Sequence, residues 1–271
     1  MTAGPQLSGG TALVTGGGTG LGGAIAAALA SHGAHVMLAY RSSAAGAEAV
    51  AARCRAAGGD ASVHRCDVAS DEDCRALADA VSDAGGGGRL DVLVNNAGTT
   101  KSVDLADLEG LTGDDFHRLY DVNVVGAFRM VRACRGALEA SHGASGIAAS
   151  VLNVSSIAGV TGRGSSVAYA ASKAALNGLT LSLARGLAPK IRVNAVCPGF
   201  IDSEWWSEGK HGAPGQRAAI RAGVAQSTPL RAASTPEDIA DAAVAFCLPG
   251  FRHVTGETLL VDAGLHMTMG T

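Results

Sequence analysis

The chain has 271 residues, 47% of them hydrophobic and 17% charged, with a formal net charge of −3. That length holds a substantial buried core in one large domain or two small ones. No basic block marks a nucleic-acid face, and no apolar run approaches the ~18 residues of a membrane span. The first ten residues, MTAGPQLSGG, read as a tail without the basic and apolar regions of a signal peptide, so a cytoplasmic protein is expected. Cys54, Cys66, Cys74, Cys134, Cys197 and Cys247 are widely spread with no C-x-x-C pair, and the histidines form no cluster with them. Buried thiols in a reducing compartment are expected, and no metal site.

The first strand, TALVT (11–15), runs straight into TGGGTGLG (15–22) and then into a helix on which Leu21, Ile25, Ala28 and Leu29 recur at helical spacing. Gly16, Gly20 and Gly22 there let the backbone turn tightly and approach a pyrophosphate, which a helix N-terminus stabilises. The second strand, HVMLA (35–39), is followed by Tyr40, Arg41, Ser42 and Ser43. An acid usually stands at the Tyr40 position where NAD is bound. A guanidinium next to a missing acid favours the 2′-phosphate of NADP, with NAD possible; a solvated loop cation is the plainer reading of Arg41. After the third strand, SVHRC (62–66), Asp67 and Val68 are placed to line an adenine pocket.

Ser70 with Asp73, and Thr112 with Asp115, look like helix starts of the capping-box kind. DAGGGGRLD (83–91) reads as a flexible loop before the fourth strand, DVLVN (91–95), and the fifth is SVLNV (150–154). The segment SSVAYAASKAALNGLTLSLARGL (165–187) is a helix that sets Tyr169 and Lys173 on one face. Such a pair can be a half-wet phenol beside a surface charge. It can also be an acid–base device, in which a fixed ammonium pulls the phenol toward working pH. IRVNAV (191–196) and TLLVD (258–262) are the last strands, and STPEDIADAAVAFC carries Thr235 as an N-cap with Pro236 in the first turn. The alternation predicts an α/β fold, a Rossmann-like doubly wound parallel sheet of about seven strands with helices on both faces. It is expected to form one domain over 11–271.

The ordered set TGGGTGLG, CDV (66–68), NNAG (95–98), DVNVVGAF (121–128), NVSS (153–156), YAASK (169–173), NAVCPGFI (194–201) and VTGETLLVDAG (254–264) spans nearly the whole chain. In that order and spacing it resembles the short-chain dehydrogenase/reductase family, and in particular 3-oxoacyl-acyl-carrier-protein reductases. The resemblance implies an NADP(H)-dependent oxidoreductase interconverting a ketone and a secondary alcohol, commonly a homotetramer. An NAD-dependent dehydrogenase and a non-catalytic cofactor-sensing protein are the alternatives.

Carried over residue by residue, the resemblance gives Tyr169 the proton transfer and Lys173 both the tuning of that tyrosine and the nicotinamide ribose. Ser156, thirteen residues before Tyr169, takes the substrate oxygen in preference to Ser155. Asn123 would hold a water leading from Lys173 to solvent. Asn96 would bond structurally, Ala97 and Gly98 would admit the cofactor, and Pro198, Gly199 and Ile201 would pass beside the nicotinamide. Thr19 stands where many NADP-using members carry a basic residue, which leaves Arg41 and the serines for the 2′-phosphate; Leu21 completes the phosphate loop. Helices around 113–140 and 166–187, with Ala127, Phe128, Val131, Ala175, Leu179 and Leu183, are expected to pair between subunits.

The stretch 201–230 is too long for a simple connection and is read as part of a substrate lid over about 200–230. It holds Trp205 and Trp206 beside Ser203 and Glu204, with Arg163 and His211 as more distant polar candidates. So few anion contacts favour a largely apolar or cyclic ketone over a free carboxylate, with a tryptophan closing over it.

Overall fold

The computed structural model describes residues 6–83, 87–203 and 216–268. Every β-rich run becomes a strand: β1 (Thr11–Thr15), β2 (His35–Tyr40), β3 (Asp60–Arg65), β4 (Val92–Asn95), β5 (Ala149–Val154), β6 (Ile191–Pro198) and β7 (Thr258–Val261). Between them run α1 (Gly20–Ser31), α2 (Ala44–Ala56), α3 (Asp71–Asp83), α4 (Gly113–Tyr120), α5 (Gly126–Ser145), α6 (Ala158–Thr161), α7 (Val167–Leu187), α8 (Gln216–Ser227), α9 (Pro236–Cys247) and α10 (Leu265–Thr268). A single π-helical stretch, Asp121–Val125, joins α4 to α5.

The strands pair in the order β3-β2-β1-β4-β5-β6-β7, all parallel, with Val14 opposite Leu38 on one side and Val94 on the other. The chain steps outward from β1 to β3, then returns to place β4 against the free side of β1. That reversal opens a crevice at the carboxyl ends of β1 and β4, where ligands of such sheets bind. β1, β4, β5 and β6 are buried along their whole length. This explains their continuous apolar runs, since a parallel strand covered on both faces has no polar side to alternate with.

One core packs α1, α2 and α9 on the sheet through Ile25, Leu29, Val50, Ile239 and Phe246. The other packs α3, α5 and α7 through Leu77, Met130, Leu138 and Ala184. The six cysteines are buried and free. Among the described residues, no helix is long and apolar enough to cross a membrane.

Local signals act as the sequence suggests, with two departures. Thr112–Asp115 and Thr235–Asp238 form complete capping boxes, the latter with Pro236 in the first turn. At Ser70, only half a box forms. The Asp73 N–H donates to Ser70 Oγ at 3.1 Å, but the Asp73 carboxylate accepts the Asp67 N–H at 2.9 Å and so fastens the loop after β3. α5 runs on through Ser145 until Gly146, at φ 69°, ends it, and β5 begins at Ala149. Within 201–230, α8 is a helix that the sequence reading did not separate. Asp202 ties it down by accepting from Arg217 Nε at 2.6 Å and lying 3.3 Å from Arg221 Nε.

Candidate active site

The crevice is a cleft of about 1170 Å³ along the carboxyl edge of the sheet. Its floor at one end is the loop from β1 to α1, where Gly16 and Gly20 adopt φ of 62° and 52°, a conformation that costs any residue but glycine. A Cβ on Gly22 would stand 2.3 Å from the Gly16 carbonyl oxygen and 2.5 Å from Asn96 Nδ2. The loop is held by Asn96, whose Nδ2 donates to the carbonyls of Thr15 at 3.0 Å and Gly16 at 3.1 Å. The N–H groups of Asn96 and Ala97 both donate to Thr15 Oγ1, at 3.0 and 3.1 Å. The ends of β1 and β4 are therefore stitched together beneath the glycines. Thr19, the N-cap of α1, makes no side-chain cap, so the first amides of α1, at Gly20 and Leu21, open onto the cleft.

Tyr40, Arg41, Ser42, Asp67 and Val68 line the wall beyond this loop. Arg41 is exposed and its guanidinium has no hydrogen bond or ion pair among the described residues. Asp67 Oδ1 accepts the Ala69 N–H at 3.0 Å, which shapes the turn. Val68 is buried against Gly126, where a Cβ would come within 2.8 Å of Val68 Cγ2. The glycine of DVNVVGAF thus makes room for this wall, a role that the motif did not disclose.

The other end of the cleft is built where α7 meets β5. Ser155 is buried and its Oγ donates to the Lys173 carbonyl at 3.1 Å, whereas Ser156 lines the cleft and its Oγ accepts the Ala158 N–H at 3.1 Å. Both serines border the cleft, but the Ser155 hydroxyl hydrogen is spent on the Lys173 carbonyl, whereas the structure gives the Ser156 hydroxyl hydrogen no such carbonyl among the described residues. Lys173 is 4% exposed, and its Nζ donates to the Val154 carbonyl at 2.8 Å. A Cβ on Gly98 would stand 3.7 Å from that Nζ and 3.4 Å from Asn123 Oδ1, so Gly98 packs in ordinary contact beside the ammonium. Gly159 lets α6 approach α7 so closely that a Cβ there would lie 2.5 Å from the Lys173 carbonyl carbon.

Electrostatics at this end differ from the expectation drawn from spacing. Burial pushes Lys173 down to about 8. Burial also raises the Tyr169 phenol above its usual value, with the Ser156 side chain working against the rise. Lys173 Nζ stands 5.8 Å from the centroid of the Tyr169 ring, held by the Val154 carbonyl, and is not what opposes the shift. Asn123 is buried behind the wall in the π-helical stretch. Its Oδ1 accepts the Thr99 N–H at 2.8 Å, and its Nδ2 donates to the Thr99 carbonyl and to Ser172 Oγ, each at 3.0 Å. Ser172 Oγ in turn donates to the Tyr169 carbonyl at 2.8 Å. One amide hydrogen of Asn123 therefore holds the loop after β4 and the other supports α7 through Ser172, and its side chain has no donor left for a water.

Pro198, Gly199, Ile201, Ser203 and Arg163 also line the cleft. A Cβ on Gly199 would meet Asp262 Cβ at 2.7 Å, which explains the glycine after Pro198. Glu204, Trp205, Trp206 and His211 lie outside the described residues.

A family model described as enoyl-(acyl carrier protein) reductase matches residues 16–266. The chain is 39% identical over 256 residues to ketoacyl reductase 2 of the granaticin polyketide synthase of Streptomyces violaceoruber, covering 94% of this chain and 96% of that one. Among solved structures, a short-chain dehydrogenase/reductase from Burkholderia xenovorans superposes with a TM-score of 0.85 at 37% identity, covering 95% of this chain and 98% of that one. The promiscuous reductase LugOII, which catalyses keto-reduction at C1 during lugdunomycin biosynthesis, superposes with a TM-score of 0.83 at 32% identity, covering 96% and 99%.

Burial of Lys173 predicts a pH dependence of stability in the cofactor-free protein. The folded state releases this proton near pH 8, whereas an unfolded lysine keeps it to about pH 10.4. Between those values the unfolded chain binds more protons, so the lysine's contribution to stability rises with pH. Urea melts at pH 7.5 and 9.5 should show the parent gaining about 2 kcal/mol on Lys173→Met across that interval. An unchanged difference would mean that the ammonium is solvated.

Proposed function

The chain belongs to the short-chain dehydrogenase/reductase family, and from that premise we propose an NADP(H)-dependent reductase that interconverts a ketone and a secondary alcohol. As a member it is an oxidoreductase of the kind that acts on CH–OH groups. The observation that carries the finer reading is a single cleft with the glycine loop and unpaired Arg41 at one end and Ser156, Tyr169 and Lys173 at the other.

The residues present fit a dinucleotide. The open space above Gly20, the uncapped first amides of α1 and the Arg41 guanidinium, unpaired among the described residues, suit a pyrophosphate and a 2′-phosphate. When bound, the nicotinamide supplies hydride to the carbonyl carbon. Ser156 Oγ holds the carbonyl oxygen, and the Tyr169 phenol gives it a proton. A phenol is protonated at neutral pH in any case, burial raises it further, and it is ready to donate. Lys173 would balance the phenolate left behind and, with a dinucleotide bound, would hold its ribose hydroxyls.

Val103, Ile157, Phe200 and Leu265 give the substrate end apolar walls. Together with relatives named for keto-reduction, they support a bulky, largely apolar or cyclic ketone. Free buried thiols suit a cytoplasmic setting.

The expected subunit surface needs one revision. Ala127 and Val131 are buried in the chain's own core, so they cannot contact a partner. Val125 and Phe128 are instead exposed beside them, and Val167, Ala174, Gly178 and Leu181 form an exposed stripe along α7. Helices with such faces pair across copies, which supports a homotetramer.

Three outcomes follow. Tyr169→Phe should lower turnover with NADPH and a ketone by at least about 10²-fold while NADPH affinity changes little; near-normal turnover would sink the assignment. Tyr40→Asp combined with Arg41→Ala should shift kcat/KM from NADPH toward NADH by roughly ten- to a hundredfold, the value of a charge-assisted contact. Equal use of both cofactors by the parent would count against Arg41. Light scattering at micromolar concentration should give a tetramer mass, reduced in Leu181→Glu; a monomeric parent would refute the packing.

A further inference from the structure

The cleft is lined by two arginines, and only the one at the nucleotide end has a role in the reading above. The other, Arg163, lies at the substrate end. Resting on the assignment of the cleft to ketone reduction, we propose that Arg163 binds a carboxylate carried by the substrate on the side away from its reacting carbonyl. It would act as a specificity-determining residue rather than a catalytic one.

Three observations carry this. The first is the rigidity of the loop between α6 and α7. Gly162 adopts φ of 73°, and the Arg163 N–H donates to Thr161 Oγ1 at 3.3 Å. Two residues on, the Ser165 carbonyl accepts the Val103 N–H at 2.8 Å, and the Ser165 and Thr100 hydroxyls lie 2.5 Å apart. A Cβ on Gly164 would stand 3.3 Å from Cδ1 of Tyr169, so the backbone that carries Arg163 lies flush against the phenol ring. A cation on so fixed a base is presented at a set place relative to the proton donor.

The second is that, among the described residues, the charge has no internal partner. The guanidinium is exposed and makes no hydrogen bond or ion pair among the described residues. Asp104, the acid on the same wall, spends Oδ1 on the Ala106 N–H at 2.8 Å and forms no ion pair with Arg163. The third is contrast. Val103, Ile157 and Phe200 around it are apolar, and Lys173 is buried and bound to the Val154 carbonyl. An acid entering this end meets one forked guanidinium among the apolar side chains of Val103, Ile157 and Phe200 and the hydroxyls of Ser102 and Ser165, with Asp104 engaged by its own turn, and such a fork suits a carboxylate bidentately.

The sequence gives Arg163 only as a remote candidate, because its proximity to Tyr169 depends on how α6 folds back on α7. A substrate with an apolar body and a single acid group satisfies both the walls and this charge. The expectation that a free carboxylate is disfavoured is revised accordingly.

The test uses the full-length protein with NADPH, an aryl ketone bearing a terminal carboxylate, and the methyl ester of the same compound. The parent should prefer the acid in kcat/KM. Arg163→Gln should raise KM for the acid at least about fivefold with kcat within about twofold, bringing the acid-to-ester ratio toward one, and Arg163→Lys should restore part of it. Equal response of acid and ester, or no preference in the parent, would overturn the proposal. Calorimetric titration of acid and ester into the NADP-loaded protein separates the two readings. Failure to reduce any ketone would refute the functional assignment, while loss of an acid-over-ester affinity in Arg163→Gln still decides the role of Arg163.

Discussion

The structure depends on the way α7 is pressed against the carboxyl end of β5. Three buried hydrogen bonds make that contact: Lys173 Nζ to the Val154 carbonyl, Ser155 Oγ to the Lys173 carbonyl, and Asn153 Nδ2 to Thr180 Oγ1 at 2.9 Å. Each joins polar groups that would otherwise be stranded in an apolar interior, so the arrangement tolerates few alternatives. Asn95 extends the seam by donating to Asn153 Oδ1 at 2.9 Å, and Asn123 supports α7 from its other side through Ser172. Gly159 allows the approach. A phenol, a hydroxyl and an ammonium are thereby fixed on rigid elements at one end of a cleft whose other end is fixed by Asn96.

This seam also governs the electrostatics. The ammonium that a ketone reductase would use to balance a phenolate is held by a carbonyl dipole in a buried place. The cost of its desolvation appears as a depressed lysine, and the same burial raises the phenol. Acid and partner are thus poised in opposite directions by one environment. Water exclusion here is a consequence of packing, since the residues that bury Lys173 are those that anchor the helix.

Much of this was legible in the residues. β-branched runs located the strands to within two or three residues because burial on both faces leaves a strand no polar side. The glycine loop was legible because positive φ and a crowded backbone leave few other residue types. The choice of Ser156 over Ser155 came from the family resemblance, and in the structure Ser155 Oγ is spent on the Lys173 carbonyl. What stayed hidden depends on neighbours distant in sequence. The rise in the Tyr169 pKa comes from burial, which a helical repeat does not report. Gly126 and Gly159 are explained only by the Val68 side chain and the Lys173 backbone they admit. Ala127 and Val131 read as surface candidates by composition, yet the turn of the π-helical stretch sends them into the core and leaves Phe128 outside.

The central claim is that this cleft moves hydride to a ketone and a proton from Tyr169 to its oxygen. The most direct measurement is a single turnover with NADPH deuterated at the transferable position of the nicotinamide and an aryl ketone, with the product analysed by mass spectrometry. The account predicts one deuterium at the new carbinol carbon of the alcohol, delivered within the first turnover by the parent protein. Alcohol lacking the label, or oxidation of NADPH without formation of alcohol, would contradict it.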